Sequence, residues 1–532
     1  PPSTTAAAPT ASAAQAQPST SRLVMSVAPP GRESNDVKFT GNVDLWALRP
    51  MYEFLIGLDP KTGKYIPQLA TEWQLDEAGP SVRFKLRKGV QFHGGQGEFT
   101  AKDVVFTREQ MRTDDTINGW RSFFDSAIKD IEVVNDYEVV FHLSRADPNL
   151  LDIISEAENG FEIRSVAHFE KIGAPTMESG PLAGTGAYQF KERAQGQYIR
   201  FERVPFQHWR AQPEFPEFEF RFQREASTRL AALQAGEVHI TTLPADLQRD
   251  AAGRGFKVLE SQAPGLRTFM RYYCCIMKDP KNPDAGWEYP DSPLMDVRVR
   301  KALNKAINRD ELNKALFDGK GELMYVTQHH QTRLGWDPSW VQRWPDEYGY
   351  DPAAAKALLA EAGYTAGKPM TTNMFVLPMA SIGQAQDVQE AVAGYWRAIG
   401  AQVELLSTDP TEIANNTRLR KYSNHVQMWA NNSAMFTGFT GLFLTWGGRG
   451  NGFEDFDVDR YVLEAVSTFD EKKQDDAWRK AGEIHYTKHA AIPLFWLPAE
   501  VVTNPKVVAD YTYPGNVTGS WTHVYTAKAA RS

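Results

Sequence analysis

The stretch "LRKGVQFHGGQGEFTAKDVVFTREQM", Leu86 to Met111, changes its apolar period midway, and this switch restricts the fold more than any other feature of the chain. Val82, Phe84, Leu86, Val90 and Phe92 alternate with polar residues, the spacing of a strand with one buried face. Thr100 then stands where a helix N-cap belongs, with Asp103 three residues on and Phe99 and Val104 placed to staple the first turn. Between the two periods lie His93, Gly94 and Gly95. A phosphate cradle, a metal site and a structural corner are the three readings open to them.

The same alternation of periods recurs downstream. "IEVVNDYEVVFHL" reads as a hairpin turning at Asn135-Asp136. In "FEFRFQREASTRLAALQAGEVHI" a strand with Phe218, Phe220 and Phe222 on one side leads into a helix ended by Gly236 and then a second strand, an order that favours a parallel pair. Asp296 caps a helix whose Val299, Ala302, Leu303, Ala306 and Ile307 form one apolar stripe. Asp351-Pro352 opens another helix closed by Gly363, and a third carries Val388, Val392, Tyr395, Trp396 and Ile399 up to Gly400. The chain therefore reads as α/β, with a separate α/β lobe in its second half.

Its 532 residues suffice for roughly three domain-sized units of about 150 residues each. No uncharged apolar run approaches the roughly 20 residues that cross a bilayer, so the body reads as soluble. A formal charge of -8 without a long basic run argues against nucleic acid as a partner. Residues 1 to 21, "PPSTTAAAPTASAAQAQPSTS", carry no charge and no large apolar side chain and read as a flexible tether. Such a tether suits an exported protein, with lipid anchoring through a removed N-terminal segment as one expectation. The two cysteines, Cys274 and Cys275, are adjacent, and Cα atoms about 3.8 Å apart fall below the usual disulfide range, so they are expected unbridged on opposite faces of a strand.

Common catalytic anchors are missing: the sequence contains no Walker-type loop, H-E-x-x-H helix, paired C-x-x-C set or G-x-S-x-G elbow. "GGQGEF" and "GGRGNG" do not fit G-x-G-x-x-G. His485 and His489 lie four apart but lack a third ligand nearby, and His93, His329 and His330 read as hydrogen-bonded structural histidines, so no metal or cofactor is expected. Arg83, Lys85 and Arg87 read as a solvated strand face. One segment differs: "VQMWANNSAMFTGFTGLFLTWGG", Val426 to Gly448, carries no charge yet is rich in aromatics, amides and hydroxyls, the mixture found in concave small-molecule sites. Trp429, Asn431, Asn432 and Trp446 within it are candidate ligand contacts, joined by Trp120, Arg121 and Tyr273.

Several stretches in order, "IPQLATEWQL", "FKLRKGVQFHGGQGEFTAKDVVFTREQM", "AGTGAYQF", "ASTRLAALQAGEVHI", "DVRVRKALNKAINRDEL", "DPAAAKALLAEAGY" and "IPLFWLPAEVV", resemble bacterial extracellular solute-binding protein family 5. The resemblance runs from about residue 23 to the C-terminus. It implies a two-lobed periplasmic-binding-protein (type II) α/β fold with an extra subdomain inserted in lobe one. On this reading 1-22 is the tether, 23-52, 181-265 and 491-532 form the lobe I core, 53-180 the inserted subdomain and 266-490 lobe II, with crossings near 265 and 490. His93 and its glycines become a structural turn.

The resemblance further implies a monomeric protein, periplasmic or on the extracellular face of the membrane, that captures a small-molecule solute and delivers it to an ABC transporter permease without catalysis. Peptide-binding members commonly follow the tryptophan with an acidic W-x-x-D-Y-x-D-P stretch; here Ala430, Asn431 and Asn432 follow Trp429. Without that carboxylate a buried ligand ammonium would stay unpaired, which favours a neutral oligosaccharide or another hydroxyl-rich or aromatic solute. An oligopeptide, dipeptide or nickel chelate is the alternative ligand, and a secreted hydrolase with an atypical cleft site the alternative class.

Overall fold

A computed structural model describes residues 20–40, 44–158, 160–279, 281–379, 382–432, 445, 452–514 and 523–531. Three sheets organise it. In the first half a four-stranded antiparallel sheet runs in the order Ala70–Asp76, Ser81–Leu86, Glu138–Leu143, Ile128–Asn135. Val82, Phe84 and Leu86 are buried, whereas Arg83 and Lys85 on the opposite face pair with Glu138 and Glu72. Arg87 leaves that row: it lies 4.1 Å from the Trp209 ring and donates to the Gln68 carbonyl.

The helix Ala101–Arg112 starts where the period changes. The Thr100 amide donates to Asp103 Oδ2 at 2.9 Å, and Phe99 and Val104 are fully buried. His93 before it is also buried, its amide donating to the Gly184 carbonyl and its ring Nε2 lying 2.8 Å from the Gly186 carbonyl oxygen. Burial holds its pKa down at about 4, so the imidazole is neutral. The turn is a structural junction: a Cβ at Gly184 would stand 2.0 Å from the Met51 carbonyl oxygen.

A seven-stranded sheet has Arg22–Val27 near its middle, parallel to Glu217–Phe222 on one side and to Ile240–Thr241 on the other. The two strands joined by the helix Ala226–Gln234 are thus parallel but not adjacent, because Arg22–Val27 lies between them. Phe218, Phe220 and Phe222 fill one core, where Trp46 meets Phe220 edge-on at 5.1 Å.

The six-stranded sheet of the second lobe runs Glu322–Leu323, Ala491–Leu497, Leu266–Tyr273, His425–Asn432, Thr371–Phe375, Gln402–Leu406. Helices Val297–Lys305, Pro352–Glu361 and Ala385–Ala398 cover one of its faces. The Asp296 side chain accepts from the Arg298 amide, and Val299, Ala302, Leu303, Ala306 and Ile307 are buried against Met270, Tyr272, Val426 and Ile492. Burying each large member of that stripe stabilises the lobe by about 1.5–3 kcal/mol.

The chain passes between the large sheets twice, from Lys257–Glu260 to Leu266–Tyr273 and from Ala491–Leu497 to Glu500–Thr503. The return lies at 498–499, beyond the expected 490, because Ala491–Leu497 still pairs with Leu266–Tyr273. The two crossings bond to each other: the Ser261 amide donates to the Ala499 carbonyl at 2.9 Å, and the Ala499 amide to Ser261 Oγ at 3.0 Å.

Cys274 and Cys275 are unbridged and buried, but they do not face opposite sides. The strand ends at Tyr273, alternation stops with it, and both sulfurs turn into one core 2.8 Å apart.

Candidate functional site

The helix layer leaves the other face of the six-stranded sheet for a different use. Register places Arg267, Phe269, Arg271 and Tyr273 of Leu266–Tyr273 beside Asn431, Trp429, Gln427 and His425 of the neighbouring strand. Trp496 stands opposite Arg267 on the other side. Phe269, Trp496 and half-buried Trp429 form one hydrophobic cluster there with Met324. The Tyr273 hydroxyl donates to Gln427 Oε1 at 2.6 Å and accepts from Thr417 Oγ1 at 3.0 Å. Trp429 and Tyr273 thus share a face with Arg271 between them, 4.7 Å and 4.8 Å from their ring centroids.

The Arg267 end of this face turns toward the first lobe. Half-buried Arg333 lies 5.3 Å from the Trp496 ring and lines a cavity of about 690 Å³ between the lobes. Tyr65, Asp152 and Glu156 line it from the first lobe, Pro264 from the crossing, and Phe469 from the second. Burial lowers the Arg333 pKa to about 10. For Arg267 the lowering also begins with burial, is deepened by the Arg333 charge and is opposed by Glu158 of the first lobe. Glu158 is buried, and desolvation pushes its carboxyl up to about 8 despite the hydrogen bond it accepts from Trp120 Nε1 at 3.2 Å. Its carboxyl is therefore largely protonated at neutral pH.

Direct contacts also hold the lobes together. Glu77, on the hairpin of the four-stranded sheet, accepts from Thr468 Oγ1 at 2.9 Å and from the Phe469 amide at 3.2 Å. Arg145 donates to Ser467 Oγ at 2.7 Å.

The sequence candidates separate. Trp429 and Tyr273 meet on the sheet face. Asn431 and Asn432 are described as backbone partners of Arg267 and Leu266, while their side chains and all of Trp446 lie outside the described residues. Trp120 packs into the first lobe on Glu158, whereas Arg121 turns outward to ion-pair with Asp114 and Asp125. Sequence reasoning missed Arg267, Arg271 and Gln427. The available signal was the pair of arginines in "LRTFMRYY", a strand otherwise free of charge. His485 and His489 diverge: His485 packs 5.7 Å from the Phe453 ring, and His489 lies tilted 4.5 Å from the Tyr348 ring and approaches Glu347 at 3.2 Å. Among the described residues no three His, Cys, Asp or Glu side chains gather as metal ligands.

A profile of the bacterial extracellular solute-binding proteins, family 5 Middle, matches residues 64–453. The chain belongs to that family. Relatives of this family 5 protein include the dipeptide-binding protein of Escherichia coli (strain K12), 26% identical over 401 residues, covering 71% of this chain and 70% of the relative. Heme-binding protein A of Haemophilus influenzae is 24% identical over 461 residues, covering 80% and 78%. Among solved structures, HbpA2 from Haemophilus parasuis superposes with a TM-score of 0.76 at 20% identity over 96% of this chain and 100% of that one. NikA from Brucella suis in complex with Fe(III)-EDTA does so with 0.75 at 19% identity, over 96% and 100%. The fold is the type II periplasmic-binding-protein fold, and the family 5 protein is a solute-binding component of an ABC importer, not an enzyme. It works in the periplasm or outside the cell, and no helix among its described residues is long and apolar enough to cross a membrane.

Proposed function

We propose that this importer component takes up a short peptide or another amino-acid-derived solute, held between the lobes against the Trp429 face. The observation that supports the reading is this sheet face, on which the Trp429 and Tyr273 rings flank the Arg271 guanidinium and whose Trp496 ring meets Arg333 at the wall of the interlobe cavity. Relatives named as dipeptide-binding support the same class. A neutral oligosaccharide suits the face less well, because sugar hydroxyls would leave the buried charge of Arg271 without an anion. Lobe closure then follows from differential affinity, since a ligand touching both lobes favours the closed form. The protein acts as a monomer, which light scattering on the purified chain checks.

Calorimetry with a panel of di- and tripeptides tests the reading. Trp429→Ala should weaken the best binder by about 1–3 kcal/mol, the range of a hot-spot aromatic. Unchanged affinity would remove Trp429 from the site.

A further inference from the structure

Cys274 and Cys275 are the two cysteines of the chain, and the fold brings their sulfurs together. Neighbouring side chains of a strand point to opposite faces, which keeps adjacent thiols apart. Here the strand ends at Tyr273 and the chain turns: the Ile276 amide donates to the Cys274 carbonyl at 3.1 Å, closing a three-residue turn centred on Cys275. Residues 452–454 hold this turn from the side, the Cys274 amide donating to the Gly452 carbonyl at 3.0 Å and the Glu454 amide to the Cys275 carbonyl at 2.8 Å. The backbone so fixed leaves the two Sγ atoms 2.8 Å apart, within an ångström of the roughly 2.05 Å of a covalent S–S bond.

The two thiols are not equivalent. Arg300, on the helix Val297–Lys305, places Nη1 3.8 Å from Cys275 Sγ. Burial opposes ionisation of Cys275, but the Cys274 S–H and the Arg300 charge outweigh it and hold the Cys275 thiol below its ordinary range. Burial, followed by the neighbouring Cys275, pushes Cys274 well above that range. Cys275 is therefore the nucleophile of the pair, and Cys274 the thiol that resolves what Cys275 forms.

We propose that Cys274 and Cys275 close into a reversible vicinal disulfide in the periplasm or outside the cell, where proteins of this family work and disulfides persist. The oxidant is an external disulfide, which reaches Cys275 when residues 452–454 lift from the turn while Val297–Lys305 stays packed. The Cys275 thiolate attacks one sulfur of that disulfide, forming a mixed disulfide and expelling one thiolate. Cys274 gives up its proton and attacks Cys275 Sγ, which forms the Cys274–Cys275 bond and releases the second thiolate. The pair loses two electrons and two protons, and the external disulfide leaves as two thiols. A ring of two residues removes little chain entropy, so the bridge is no staple of the fold. Adjacent Cα atoms about 3.8 Å apart fall below the usual disulfide range, which makes the bridge easily reduced. It stiffens locally, at the turn that follows Tyr273 and carries the bonds to Gly452 and Glu454.

The test makes the chain twice, once with an export leader into an oxidising periplasm and once without it in a reducing cytoplasm. Each form is denatured in iodoacetamide without reductant, and its intact mass is measured. The exported chain should carry no alkyl group and should accept one on each cysteine after reduction, whereas the cytoplasmic chain should be alkylated on both at once. Native incubation of the cytoplasmic chain with hydroxyethyl disulfide should abolish both alkylations. Cys274→Ser, which lacks the resolving thiol, should instead keep a mixed disulfide on Cys275, and Cys275→Ser should stay unmodified at Cys274. Free thiols on both cysteines of the exported chain, or a bridge between two chains, overturns the proposal whatever the variants do. A mixed disulfide that forms on Cys274 and not on Cys275 overturns the assignment of Cys275 as nucleophile.

Discussion

Glu158 links burial to pH in a single side chain. Its folded pKa of about 8 stands above the ordinary 4.5, so the folded protein keeps a proton that the unfolded chain releases. The resulting stability is full below about pH 4.5 and is lost as pH rises toward 8. Glu158→Gln keeps an acceptor for Trp120 Nε1 and cannot ionise, so urea unfolding should show a flatter pH limb than wild type between pH 5 and 8. An unchanged limb would mean that Glu158 ionises normally. Trp120 and Arg121 show why side chains of this kind were hard to read. Adjacent in sequence, they look like a stacking surface with a fork beside it, yet one turns inward to Glu158 and the other outward to Asp114. Arg271 was hidden for another reason: its strand is covered on one face by helices and on the other by aromatics, and alternation alone cannot tell which face carries the charge.

Elements were more legible, because caps and stripes are local. The Thr100 cap, the staple of Phe99 and Val104, and the Asp296 helix all follow from residues within one or two turns. The strand order was not legible, since Arg22–Val27 inserts between two strands that are consecutive in the chain, a contact about 195 residues away in sequence. The junction of the His93 turn with Gly184 gives a test at this scale. Gly184→Ala forces a methyl onto the Met51 carbonyl, and the expected loss is about 1–3 kcal/mol, typical of overpacking, read as a lower urea midpoint. Wild-type stability would mean that the backbone at 51 yields freely.

At the scale of the molecule, two kinds of group set its response to conditions. Burial depresses His93, His239 and His523 to about 4 and His485 to about 3, so these rings are neutral in the folded state. The unfolded chain takes up their protons near 6.5; the stability they contribute is full above that pH and is lost as pH falls toward 4. Urea midpoints at pH 7, 5.5 and 4.5 should fall in that order, and constancy over this range would contradict neutral burial. The second kind bridges the lobes. Glu77→Ala removes the acceptor for Thr468 and Phe469, and small-angle scattering of the ligand-free variant should show a larger radius of gyration than wild type. An identical radius would leave closure to other contacts.

The paired crossings at Ser261 and Ala499 carry a mechanical corollary. Two strands laced side by side resist sliding and twisting but yield to bending, so the halves keep one soft coordinate, an angle. A longer guest props that angle wider and a shorter one lets it narrow. Any surface that docks on both halves at once therefore reads the length of the cargo as a tilt.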